Sequence, residues 1–234
     1  MCTNYRPGSR DYIRGRFGLE ADFDYPEEAY PAYPAPMLRL GEAGLECVPA
    51  CFGLIPHWST DTKIARSTYN ARSETVAQKP SYRRPWRLGQ RCLVPMRAFY
   101  EPSYASGRAV RWRIEALDGG EFCVAGIWDA WQPPAGAGPG PGGSVLSFSL
   151  LTINADAHPL MSQFHAPGDE KRSLVVLEPE AQERWLRADA DAARALLQPL
   201  VVEHFQAQAD PRVARAGKSP SPPVNTSASL WEEG

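Results

Sequence analysis

Apolar positions come in short runs, alternating or continuous, cut apart by Gly, Pro and charged residues; this is the spacing of a strand-rich domain. Residues 37–40 and 45–52 flank a Gly41–Gly44 turn and predict a hairpin. Residues 92–100 form a longer apolar strand that ends on Glu101 and Pro102. Residues 110–114 alternate as a half-buried strand. The Asp118-Gly119-Gly120 turn signal predicts a hairpin into residues 122–128. Further strands are expected over 144–152, 173–177 and 200–206. Helical patterns are short: 12–17, 154–160 capped by Asn154, 180–188 opened by Pro179 with Trp185 and Leu186 on its apolar side, and 190–197. The proline-rich stretch 30–36 predicts an extended, aromatic-bearing loop, because repeated Pro fixes φ and removes donors. The order of elements gives an α+β fold, mainly antiparallel sheet with flanking short helices.

Composition narrows the class. The chain has 234 residues, 43% of them hydrophobic, enough for one domain over residues 1–218. The Gly/Pro segment 132–143 reads as a flexible loop and 219–234 as a disordered tail. A net charge of −2 demands no polyanionic partner, although 21 of the 25 basic residues are Arg, which suits phosphate and aromatic stacking. No apolar run is long enough to span a membrane and the N-terminal stretch is too polar for a secretory signal, so a cytoplasmic monomer is expected. Five cysteines are an odd number for a disulfide framework. Cys47 and Cys51 lack both CxxC spacing and a second ligand pair, so no metal and no cofactor is expected. Cys92 and Cys123 sit in apolar runs and read as buried small hydrophobes.

Four places carry candidate chemistry. Cys2 follows the initiator Met, and its removal leaves a free α-amine and a thiol on adjacent carbons. Such an amine, with an ordinary pKa of about 7.7–8.0, adds to aldehydes, and the thiol can close onto the imine as a thiazolidine. Glu101 ends a buried strand, where burial favours the protonated form and a proton-shuttling role. His165, on a Gly/Pro loop leading into a strand, suits acid–base work or a structural hydrogen bond. Arg83, Arg84, Trp86, Arg87 and Arg91, with Tyr82, fit a single-stranded nucleic acid, arginines on phosphate and aromatics on bases; equally they fit a surface helix with Trp86 in the core.

The motifs in order are Met1-Cys2, GLIPHW at 53–58, NARSET at 70–75, RCLVPMRAFYE at 91–101, AGIW at 125–128, and Thr152 through His165. Together they resemble the SOS-response-associated peptidase (SRAP) family, whose members crosslink to abasic sites in single-stranded DNA. The resemblance covers about residues 1–190. It implies a barrel-like antiparallel core with a DNA groove, Cys2 as nucleophile through amine and thiol, Asn70 holding the N-terminal cysteine and the sugar, Glu101 orienting or deprotonating the amine, and His165 assisting ring opening. It also implies Arg72 on DNA phosphates, Trp58 near the lesion, and a proline of the 31–36 run beside the DNA. The partner is then single-stranded DNA with abasic sites, and the DNA-bound protein is nucleoid-associated. Three departures stand out. Thr3 and Asn4 replace the usual Gly-Arg after Cys2, Pro102 replaces the usual Trp, and the loop after His165 is longer. A self-processing thiol peptidase and a non-covalent single-strand-binding module are the rival functions.

Overall fold

The computed structural model describes residues 2–134 and 143–212. The remainder of the 132–143 segment and the 219–234 tail expected from composition lie outside the described residues. The chain runs β1 (Tyr5–Pro7), α1 (Arg10–Phe17), β2 (Pro34–Gly41), β3 (Gly44–Phe52), β4 (Asn70–Arg72), α2 (Arg83–Arg87), β5 (Arg91–Ser103), β6 (Val110–Ala116), β7 (Phe122–Trp131), β8 (Val145–Asn154), β9 (Arg172–Leu174), β10 (Val176–Leu177), α3 (Pro179–Arg187), α4 (Ala190–Ala195) and β11 (Phe205–Ala209). Hydrogen bonds close a ring through five strands, β7–β8–β3–β2–β5 and back to β7. That ring is the form taken by the expected barrel-like core. The sheet is mixed: β8 runs parallel to both β3 and β4, and the other pairings are antiparallel.

β5 explains why the ring is solid. It is thirteen residues long and almost wholly buried, so both faces are apolar. Cys92, Val94 and Met96 join one core with Cys2, Tyr5, Phe52, Phe99 and Phe148. Leu93, on the alternate face, joins a second core with Ile13, Leu38, Ile127 and Trp185. Trp185 of α3 is fully buried there and donates its indole N–H to the Cys92 carbonyl at 2.9 Å. The first turn of α1 is held by Ser9, whose hydroxyl accepts from the Tyr12 amide, and the helix ends on left-handed Gly18.

Several local expectations are corrected. Residues 154–160 are not a helix: Asn154 ends β8, and its side-chain oxygen accepts from the Asp156 amide, closing a local turn that competes with helix. Asp118 does make a turn, but β6 and β7 are not a hairpin. They pair one after the other with β5, at Ser103 to Phe99 and then Met96 to Arg91. Pro34 and Pro36 belong to β2, where that strand pairs only with β3, so their missing donors fall on an unpaired side. The 173–177 strand is split at Val175, which donates to Leu151 and accepts from Ala125, bridging two neighbours. The last strand starts at Phe205, after a 3-10 turn over Val202–His204. Among the described residues no helix is long and apolar enough to cross a membrane.

Candidate active site

Cys2 has no exposed surface. Its carbonyl accepts a 2.8 Å hydrogen bond from Asn70 Nδ2, and its thiol donates to the Asn4 carbonyl at 3.3 Å. Asn70 is presented by β4, whose parallel register on β8 sets Asn70 opposite Leu150 and Arg72 opposite Thr152. Tyr82 braces the same residue by donating its hydroxyl to the Asn70 carbonyl at 3.0 Å. The next strand residue but one, Arg72, shares Asn70's face of β4, but stands exposed and is ion-paired to Glu170 at 2.5 Å.

Glu101 comes from the far end of β5 and is 3% exposed. His165 Nε2 lies 2.9 Å from Glu101 Oε2, with both side chains buried, within ion-pair distance. The histidine's position is unusual. Its φ is 66°, left-handed backbone that a non-glycine residue seldom adopts. Its amide donates to the Pro102 carbonyl at 2.8 Å, and Lys171 Nζ donates to the carbonyls of His165 and Ala166. Pro102, the residue that departs from the family pattern, thus anchors the histidine loop through the one backbone group it retains. Asn70 Oδ1 and His165 Nδ1 are among several buried side-chain atoms with no hydrogen-bond partner among the described residues, positions that a ligand or water can meet.

Burial, reinforced by the nearby Glu101 charge, pushes the Cys2 thiol from 9.0 up to about 12. The thiol is therefore neutral near pH 7, and a nucleophilic role requires its proton to leave as the sulfur attacks. Burial does the same to Cys47, Cys51 and Cys123, each pushed to about 12, and all five cysteines are free thiols. The folded chain keeps these protons where the unfolded chain, with ordinary values near 9.0, releases them. Their stabilising contribution is complete below pH 9 and is lost as pH rises from 9 toward 12. The melting temperature is expected to hold up to about pH 9 and to fall as pH rises from 9 toward 12, and a flat profile over that range in calorimetry would contradict this burial.

Cys2, Asn70, Glu101 and His165 are thus brought together from four separate parts of the chain, with Arg72 beside them. Trp58 is 50% exposed and donates its indole N–H to the Pro80 carbonyl at 3.4 Å. Trp86 is different. It is 2% exposed, packs 6.4 Å from Trp185, and carries the buried Arg91 guanidinium 4.1 Å above its ring. It has no free face to offer a base, so the core alternative holds for Trp86 and Arg91, while Arg83 and Arg87 are exposed and Arg84 is half-buried. Residues not singled out in the sequence also matter. Tyr82 and Lys171 hold Asn70 and the His165 loop. Arg172, 1% exposed, binds Glu74, Glu170 and the Thr152 carbonyl. The dense charge of residues 169–172 was the available signal for the last two.

The family model described as SOS response associated peptidase (SRAP) matches residues 1–214. The chain belongs to the SRAP family. Among SRAP relatives, the abasic site processing protein YoqW of Bacillus subtilis is 30% identical over 175 residues, covering 73% of this chain and 72% of YoqW. The abasic site processing protein HMCES of Gallus gallus is 28% identical over 156 residues, and the match spans only 43% of that longer protein. A crystal structure of a protein from Bordetella bronchiseptica superposes with a TM-score of 0.80 at 32% identity, covering 89% of this SRAP chain and 99% of the other.

Proposed function

We propose that this protein processes abasic sites in single-stranded DNA and becomes covalently joined to them through Cys2 once Met1 is removed. The observation that carries the reading is the 2.8 Å bond from Asn70 to the Cys2 carbonyl, which pins the N-terminal cysteine next to the Glu101–His165 pair. The names of YoqW and HMCES support the lesion class.

In this mechanism the abasic sugar opens to its aldehyde, with His165 moving the ring proton. The Cys2 amine adds to C1′ and the carbinolamine loses water, giving an imine. The neutral thiol then adds to the same carbon as its proton passes to the nitrogen, with Glu101 as the relay. One water leaves overall, and a thiazolidine joins protein and DNA. The same imine acidifies the C2′ protons, so strand cleavage by β-elimination competes when ring closure fails. Asn70 Oδ1 and His165 Nδ1 are the buried groups that the sugar hydroxyls would satisfy, and Arg72 exchanges Glu170 for a phosphate.

The test mixes protein, with a free Cys2 confirmed by mass spectrometry, and single-stranded DNA bearing one abasic site, then resolves it on a denaturing gel. A heat-stable shifted band absent with undamaged DNA is expected; its absence despite intact binding would reject the covalent reading. Glu101→Gln is expected to slow crosslinking by 10²-fold or more, on the order of one lost proton-transfer group, with single-strand affinity retained. Equal loss of both would make Glu101 structural.

A further inference from the structure

A second basic site lies away from Cys2. A cavity of about 680 Å³ is lined by Arg83, Arg84 and Arg87 of α2, Arg194 of α4, His57 and Trp86. None of Cys2, Asn70, Glu101 or His165 lines it. Its charge is strongly one-sided. Arg84 is held at 2.5 Å by Asp129, a carboxylate with no exposed surface, whose other oxygen lies 3.9 Å from His57 Nδ1. Among the described residues, Arg83, Arg87 and Arg194 have no carboxylate at ion-pair distance, and Asp191 is the remaining acidic group on the wall. Arg194 lies 5.7 Å from the Trp86 ring, so its side chain is braced against the core. Four guanidinium groups converge on one concavity with too little negative charge in the protein to neutralise them, which is the electrostatic form of an anion site.

The position of this basin is informative. A smaller cavity, about 370 Å³, is lined by Asn70, Arg72, Lys79 and Pro80 and opens beside the candidate active site. Trp58 bonds to the Pro80 carbonyl, and its chain neighbour His57 lines the larger cavity. Trp58 therefore adjoins both concavities, one carrying Arg72 and Lys79 and the other the arginine basin. An exposed ring adjoining two sets of cations suits a single strand whose phosphates meet cations and whose bases stack on exposed rings.

We propose that the arginine basin is a second phosphate site, which receives the backbone of the DNA strand beyond the lesion after it has passed over Trp58. The proposal rests on the reading of the protein as a single-strand DNA binder. It assigns Arg194 and His57 to DNA contact, and gives Trp86 the role of a floor under the arginines in place of base stacking. A phosphate-rich small molecule shares the same chemistry, and the experiment separates the two.

The experiment measures binding of undamaged single strands of about 5 and about 20 nucleotides across a salt series, for wild type and the triple variant R83A/R87A/R194A. All three side chains are exposed, and an unchanged melting temperature serves as the folding control. Wild type is expected to bind the longer strand at least tenfold more tightly. The variant is expected to lose most of that gain and to show a salt slope shallower by about 2, since each single-strand phosphate contact contributes about 0.7. An undiminished length gain, or an equal loss for both lengths, overturns the proposal. So does inorganic tripolyphosphate that binds wild type and not the variant while leaving 20-nucleotide binding undisturbed, which would mark a small-anion site. Undamaged strands carry no aldehyde, so a failure of the covalent chemistry leaves this result standing and is read separately on the denaturing gel.

Discussion

Cys2→Ala is expected to give no heat- and detergent-stable band with abasic DNA. The substitution leaves an α-amine at the processed N-terminus, so the first addition to the aldehyde is still open to it. What it lacks is the sulfur that converts a hydrolysable imine into a closed ring. The variant should therefore be trapped on DNA only when a borohydride reductant is present, and strand cleavage should rise because the imine persists. Cys2→Ser separates the steps further, since its hydroxyl keeps size and polarity. A reductant-independent, heat-stable adduct from Cys2→Ser would remove the thiol from the mechanism. Alanine at position 2 also vacates a small buried volume, so the melting temperature of each variant is needed to show that the site itself is intact.

The largest stability loss is expected at Gly53, where β3 leads into the segment carrying His57 and Trp58. Its φ is 114°, and a Cβ there would sit 2.0 Å from the Ala65 carbonyl oxygen, a backbone atom that cannot rotate aside. Its amide also donates to Phe148 at 2.9 Å, tying the end of β3 to β8. Backbone strain of about 1–3 kcal/mol and overpacking of about 1–3 kcal/mol act together, so Gly53→Ala should cost about 3 kcal/mol or more. For a chain of this length that corresponds to a drop of about 6–12 °C. A cost under about 1 kcal/mol in denaturant unfolding would show that the Ala65 turn yields. Because Trp58 lies five residues on, DNA binding should weaken along with stability.

Much of the strand framework is visible in the sequence. The β2–β3 hairpin, β5, β7 and β8 announce themselves by apolar runs, and the 2.0 period separates the two faces that pack into different cores. The four proposed reactive residues come from motifs that mean little one at a time, and it is their common order in a family pattern that singled them out. The hidden parts share a physical cause. Whether Trp86 stacks on a base or fills the core depends on Trp185 and Arg91, one of them a hundred residues away, and a five-residue helix has too few turns to show a face. Asn154 offered a cap, but a helix cap and a local turn use the same side-chain oxygen, and Asp156 decided between them. The Asp118-Gly119-Gly120 signal correctly marks a turn, yet a turn does not say whether the following strand pairs with the one before it or continues along a third. The link between Glu28 and four donors, from Asn4, Tyr30, Arg111 and Arg212, joins parts of the chain that no local pattern connects.

The strand that delivers Cys2 is only three residues long, and Tyr5 finds its register partner at Phe99, more than ninety residues away. Such a segment cannot hold itself in place. Its closure entropy is recovered only after β5 and the ring exist. The cysteine end is consequently expected to be among the last pieces seated during folding, and an incompletely folded chain would carry the same amine and thiol with none of their geometry. Under the proposed mechanism, crosslinking competence would then report completion of the fold, with the nucleophile meeting its site only once the site is finished.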